Sequence, residues 1–372
     1  MIYADNAATT KMDPKALSLM KRLLDEEYAN PSQPYSFSRN AKKILKTSRE
    51  TIAQCINAEP DEIIFTSGGT ESDNWALKGT AMYDNSMRCI ITSEIEHHAV
   101  LNSCYSLERL GYPVVYLKST DNGIISPEAL KEIIHSPVLV SVMTINNEIG
   151  TIQPISELAE IAHAYGAAFH TDAVQAVGHI VIDVKSMNID MLSASAHKFN
   201  GPKGIGFLYI RKGINCISLH NGGAQEFGVR AGTENVPAIA AMAEALKNNV
   251  EHMKENQAHI SKVSKTFLNS LEIDYKLNGA GANRSDSINS ISICGRSGES
   301  MLHILDLKGI CVSTGAACDS VNTQISHVLN AINLTEDMAK GTIRVSFGKY
   351  NTIEEAVEIA NEINRFSASV QR

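Results

Sequence analysis

Lys198 stands at the end of a run of small residues and before a turn, in Ser195-Ala196-His197-Lys198-Phe199-Asn200-Gly201-Pro202. Most lysines are solvated loop residues. This one is flanked by a serine and a histidine, both able to donate to a phosphate. A lysine kept neutral by burial or by nearby cations is also a covalent catalyst towards carbonyl groups. Asp172 lies 26 residues upstream, in His170-Thr171-Asp172-Ala173-Val174-Gln175, at the end of an apolar stretch. An aspartate there is a common helix cap, but strand ends are also where open α/β sheets bind ligands. A pyridoxal phosphate cofactor needs a lysine for its aldehyde and a carboxylate for its ring nitrogen, and these two residues supply that pair.

Four other segments have the same double character. Ser67-Gly68-Gly69-Thr70-Glu71 is either a tight turn or a nest of backbone N–H groups at a helix start, suited to phosphate. It fits neither G-x-G-x-x-G nor G-x-x-x-x-G-K-[ST], which weakens nicotinamide and nucleoside triphosphate readings. In Glu96-His97-His98 a histidine can stack on a flat ring, sit satisfied in the core, or bind metal. No third ligand lies at a usable spacing, so no metal site is expected. Arg344 interrupts the strand-like Gly341-Thr342-Ile343-Arg344-Val345-Ser346 and needs an anion, either a protein carboxylate or a substrate's. Cys318, in Thr314-Gly315-Ala316-Ala317-Cys318-Asp319-Ser320, is set among small residues outside any apolar run, as a nucleophilic thiol requires. Cys55, Cys89, Cys216 and Cys311 fall in apolar patterns and are expected to be buried and inert.

Alternating strand and helix patterns run from Glu62 to Ile210 and predict crossover units on a mostly parallel sheet with helices on both faces. The strand patterns are 62–66, 88–92, 113–117, 138–145, 168–173, 190–195 and 204–210. From Pro237 to about Leu271 the helical periodicity is unbroken by proline or glycine and predicts one long helix between domains. Shorter strands and helices follow. The expected division is a large cofactor domain over residues 12–255 and a small α+β domain made of residues 1–11 and 256–372.

The 372 residues suffice for such a core without disulfides. None of the seven cysteines forms a C-x-x-C pair, which excludes zinc-ribbon and thioredoxin motifs and fits reduced thiols. A net charge of −8 and a single tryptophan argue against nucleic acid or an anionic membrane as partner. No signal-peptide pattern and no run of ~18 apolar residues is present, so a cytoplasmic protein is expected.

In order along the chain, the segments Tyr3–Thr10, Asn30-Pro31-Ser32, Phe65–Ser72, Glu96-His97, Asn146–Gly150, Asp172–Gln175, Ser195–Lys198, Gly232-Thr233-Glu234-Asn235, the Cys318 loop and Ile343–Ser346 resemble the class I NifS/IscS-type cysteine desulfurases. These are fold-type I, aspartate aminotransferase-like pyridoxal phosphate enzymes. The resemblance implies conversion of L-cysteine to L-alanine with a persulfide left on Cys318, for iron–sulfur assembly or tRNA thiolation. It implies that Lys198 binds the cofactor aldehyde and moves the substrate's Cα proton. Asp172 would hold the ring nitrogen, Gln175 and Asn147 the phenolic oxygen, and His97 would stack on the ring and help shuttle protons as a catalytic residue. Gly69, Thr70, Ser195 and His197 would hold the phosphate, with Thr233 reaching it from the partner subunit of a homodimer. Asn30, Asn147 and Arg344 would grip the substrate carboxylate. Tyr35 and Ser38 stand where the family usually has histidine and glycine, and Asp319 follows the nucleophile. A selenocysteine lyase, an aminotransferase, a β-eliminating enzyme and a sulfur-relay protein without turnover are the alternatives.

Overall fold

The computed structural model describes residues 1–83, 88–314 and 325–369, with side chains to residue 366. A seven-stranded sheet dominates, in the spatial order Ile63–Thr66, Gly206–Ile210, Met191–Ser195, Ala168–Asp172, Leu139–Ser141, Ile90–Ser93 and Val114–Leu117. Only Gly206–Ile210 runs against the other six. Successive strand residues point to opposite faces, and both faces are covered, so apolar residues stand on both sides of the sheet. Ile91, Val140, Phe169, Leu192 and Phe207 face a core closed by helices Arg39–Cys55, Ile155–Ala164 and Val236–Glu251. Ile90, Leu139, Met191 and Leu208 face a second core closed by Gly69–Tyr83 and His98–Arg109.

A separate apolar cluster joins Ile2 and Ala4 to Phe267, Ile291, Ile343, Phe347 and Ile359. It lies under a three-stranded antiparallel sheet, Thr342–Ser346, Ile288–Ser292 and Lys276–Leu277, and a two-stranded parallel pair, Ile2–Tyr3 with Ile310–Cys311. Val328, Leu329, Ile332, Leu334 and Ala339 pack instead on the larger core.

Two expectations change. The stretch after Pro237 is two helices, Val236–Glu251 and Met253–Asn269, parted at His252 with φ −107° and ψ 16°. The His252 ring Nδ1 lies 2.9 Å from the Asn248 carbonyl that its own N–H also addresses, so side chain and backbone compete for one acceptor where the helix bends. The strand expected over 138–145 is regular only for Leu139–Ser141. Two residues on, the Met143 N–H turns to the Glu96 carboxylate.

Between the N-terminal strand and Glu62, where no helix is predicted, helix Pro14–Glu26 starts on an Asp13 cap and a proline, and Arg39–Cys55 follows. Ser38, in the family's glycine place, is buried, and its hydroxyl donates to the carbonyls of Gln33 and Tyr35, closing the turn.

Candidate active site

Asp172 and Ser195 end parallel strands that pair directly, with Asp172 opposite Ser193. The chain leaves Ser195 in a single 3-10 turn, Ala196–Lys198, which brings Lys198 back over the strand ends. These residues open onto a cavity of about 410 Å³, also lined by Gly69, Thr70, Asp73, His97, Asn147, Gln175, His197 and Arg344. That is the volume range of small-cofactor sites.

At one wall the Lys198 ammonium donates to the carbonyls of Ala7 and Ala8 at 2.6 and 2.9 Å. Gln175 donates to the same Ala7 carbonyl at 2.8 Å. At the floor, Asp172 accepts from the Val174 N–H at 2.9 Å. Burial pushes its carboxyl upward, while His97, the Val174 N–H and Lys198 favour the ionised form. His97 caps helix His98–Arg109 by accepting the Ala99 N–H on Nδ1 at 3.1 Å. Its neutral ring must therefore carry the proton on Nε2. Burial holds His97 below the usual histidine value, and Lys198 and His98 add to this against the pull of Asp172. His197 is pushed down to about 4, first by burial and then by Lys198 and Lys203; its Nδ1 lies 3.1 Å from the Thr9 hydroxyl.

The opposite end is built from glycine. Gly68 has φ +149°, and a Cβ on Gly69 would lie 2.6 Å from Val174 Cγ2. Across from it, a Cβ on Gly206 would lie 2.3 Å from the Ala194 carbonyl oxygen and 2.7 Å from Gly68 Cα. The turn thus lies directly on the strand ends, with its N–H groups at the start of helix Gly69–Tyr83. Glu71 locks it, accepting from the Ser67 N–H and from Arg230. A phosphate suits this end, a lysine faces the middle and a carboxyl waits at the floor, so the cavity fits pyridoxal phosphate.

Arg344 is buried, donating to the Asn147 carbonyl and to Asp5 Oδ1, each at 2.9 Å, with its Nε unpartnered. The protein carboxylate foreseen for it therefore exists, and Arg344 still lines the cavity. Asn30 and Thr233 do not line it. Asn30 caps its own turn through the Ser32 N–H, and Thr233 is exposed. Their neighbours Pro31, Ser32 and Glu234 share one surface hollow beside Arg49 and Glu226.

Cys318 lies outside the described residues. Before that segment, Ser313 exchanges backbone hydrogen bonds with Arg344; after it, Ser326 donates to Glu148 at 2.6 Å. Of the other cysteines, burial pushes Cys55, Cys104 and Cys216 up to about 12 and Cys89 upward. Cys55, Cys89, Cys216 and Cys311, expected to be buried, are half-buried, and Cys104 is the fully buried one of the six described; Cys294 is exposed, and its bond to Asp337 pushes it upward.

Sequence reasoning missed Asp73, Asp5, the Ala7 and Ala8 carbonyls, and His327, which lines the cavity with its ring 4.9 Å from that of His98. It also missed that His97 has two carboxyl neighbours in space, Asp73 and Asp172, because their separations along the chain carry no ligand pattern. Among the described residues no helix is long and apolar enough to cross a membrane.

Residues 2–359 match the aminotransferase class-V family. The cysteine desulfurase IscS of Dictyoglomus turgidum is 45% identical over 95% of this chain and 91% of its own. A solved NifS-like protein superposes with a TM-score of 0.93 at 35% identity, covering 99% of both chains. A structure described as SspA in complex with cysteine does so with 0.86 at 35% identity, covering 95% of this chain and all of its own. A match of this extent, on a chain whose lysine and aspartate meet in one cavity, places the protein in the aminotransferase class-V family.

Proposed function

We propose that the protein is a pyridoxal phosphate-dependent cysteine desulfurase. L-cysteine and the Cys318 thiol become L-alanine and a Cys318 persulfide, so the sulfur moves and nothing else is consumed. The observation that carries this reading is the convergence of Lys198, Asp172 and Arg344 on one cavity with a glycine-built anion end. The activity named for the D. turgidum relative and the cysteine named in the SspA complex support it.

The cofactor, when bound, supplies an electron sink conjugated to the substrate's Cα and Cβ. Gly69, Thr70, Ser195 and His197 hold its phosphate, with Thr233 contributed by the partner in a homodimer. Asp172 takes the ring nitrogen, Gln175 and Asn147 face the phenolic oxygen, and His97 covers the ring. Lys198, relayed on the Ala7 and Ala8 carbonyls, binds the aldehyde and then carries the Cα proton. Arg344, with Asn147, receives the substrate carboxylate; Asn30, held in its own turn outside the cavity, would join them only by leaving that turn. Cys318 attacks the substrate sulfur. It is five residues from Ser313, hence at most about 18 Å of chain from the Arg344 bridge. Five of the six other thiols are poor rivals, four of them held protonated by burial and one by Asp337.

We assign residues 12–255 to the cofactor-binding unit and residues 1–11 and 256–372 to the unit that brings Arg344 and Cys318; the apolar cluster around Ile291 and Ile343 supports this division, although the stretch 328–339 packs on the larger core. The setting is cytoplasmic, and the acceptor is a protein of iron–sulfur assembly or tRNA thiolation. Purified holoenzyme given L-cysteine should yield alanine and a persulfide mapped to Cys318 by mass spectrometry. Pyruvate and ammonia in place of alanine would overturn the reading in favour of β-elimination.

A further inference from the structure

Asp73 has no place in the chemistry above, yet it lines the cavity in helix Gly69–Tyr83 and is 1% exposed. One carboxyl oxygen of Asp73, one of Asp172 and a ring nitrogen of His97 all lie within 4.8 Å of one another. Asp73 Oδ1 is buried without a hydrogen-bond partner. The nearest ring nitrogen behind it, His170 Nε2, is 3.7 Å away, too far for a hydrogen bond, and lies 3.0 Å from Ser193 Oγ. The other His170 nitrogen lies 2.8 Å from Ser141 Oγ. Ser141, His170 and Ser193 are themselves fully buried.

The groups around the two acids are unequal. Asp172 has a backbone N–H donor and feels Lys198 and His97. Asp73 faces the carboxyls of Asp172 and Glu96, His170 held neutral by burial, and the Ser193 hydroxyl. Among the described residues no lysine or arginine is paired with Asp73. Two carboxyls this close in a dry site retain one proton between them, and the better-supported acid is the one to ionise.

We propose that Asp73 is a positioning residue that keeps this shared proton and directs it towards Asp172, so that Asp172 is the single ionised acid at the floor of the cavity. The proposal rests on Asp172 being the partner of the cofactor's ring nitrogen. One negative charge then meets one protonated ring nitrogen, and the buried end of the site is neutral. A second charge there would have no counter-ion. Oδ1, which no donor reaches, is less costly to bury on a neutral carboxyl than on a carboxylate.

The test is the pH titration of visible absorbance and the cofactor affinity of the holoenzyme, neither of which requires turnover. Asp73→Asn keeps a neutral group with a donor and should leave both within about threefold of wild type. Asp73→Leu removes the donor, makes Asp172 more basic, and should shift the titration by about one pH unit, a tenfold change. An Asn variant shifted by a full unit, or a Leu variant not shifted at all, overturns the proposal. Should the Leu variant not fold, the infrared difference between wild type and Asp73→Asn decides. Loss of a protonated-carboxyl band supports the proposal and loss of a carboxylate band overturns it. Asp172→Asn serves as control: a titration unmoved by that change refutes the role of Asp172 rather than the proton on Asp73.

Discussion

Glu96 is fully buried one residue before His97, and folding raises its carboxyl from 4.5 to about 8. Burial is the main cause; the Ser93 hydroxyl at 2.5 Å and the Met143 N–H at 3.0 Å, both on Oε1, oppose it. Oε2 has no partner. Because the folded state binds this proton more tightly than the unfolded chain, Glu96 contributes most stability below about pH 4.5. That contribution falls as pH rises, until it is lost through about pH 8. Replacement by glutamine keeps the Oε1 acceptor for Ser93 and Met143 and copies the protonated form. Between about pH 5 and about pH 8, one proton with these two affinities amounts to about 3 kcal/mol of stability lost by wild type relative to Glu96→Gln. Asp73 and Asp172 are also raised and slope the same way in both proteins, so the difference reports Glu96 together with its coupling to these two acids. Urea denaturation of the two proteins at a series of pH values gives it directly. Curves that stay parallel across this window would refute the protonated, buried Glu96. The position matters for the site, since the Glu96 carbonyl also accepts from His327 at 2.9 Å.

Four further outcomes follow from the geometry. Lys198→Ala should abolish covalent cofactor attachment, seen as loss of the borohydride-reducible absorbance. Cys318→Ser should bind the cofactor and L-cysteine with the wild-type spectral change yet form no persulfide; sulfide release at the wild-type rate would remove Cys318 as nucleophile. Arg344→Lys cannot reach both the Asn147 carbonyl and Asp5; losing one charge-assisted bond of about 1.5–3 kcal/mol should lower kcat/KM about 10- to 100-fold. Gly206→Ala forces a methyl against the Ala194 carbonyl and the Gly68 backbone; it should cost about 1–3 kcal/mol in unfolding experiments and weaken cofactor binding.

The strands, Lys198 and Asp172 were legible because their signals are local. Each strand is an apolar run closed by a turn, and both residues sit where such a run ends. Asp73 was not legible. It occupies an ordinary helical position, and only the packing of Gly69–Tyr83 on the strand ends turns it towards Asp172. The ion pair of Arg344 with Asp5 spans 339 residues, and nothing at either end of the sequence announces the other. The break at His252 was hidden because histidine is not a helix breaker by propensity. It acts here through a ring nitrogen that reaches a carbonyl one turn back.

The N-terminal segment shows most directly why a linear reading stops short. Ile2–Tyr3 pairs with Ile310–Cys311, and Asp5 bridges Ser346, so by backbone bonding this segment belongs with the smaller core. Within the next five residues, the Thr10 N–H donates to the His197 carbonyl, and the carbonyls of Ala7 and Ala8 receive Lys198. Within the same stretch Asp5 holds Arg344, and Asn6 donates to the Ser346 carbonyl and to Asn351. One short run of chain therefore sets the lysine on the larger core and the arginine on the smaller sheet relative to each other. Its residues include alanines whose side chains do no chemistry. Their contribution is made by backbone carbonyls, which every residue type carries, so residue identity alone cannot disclose it.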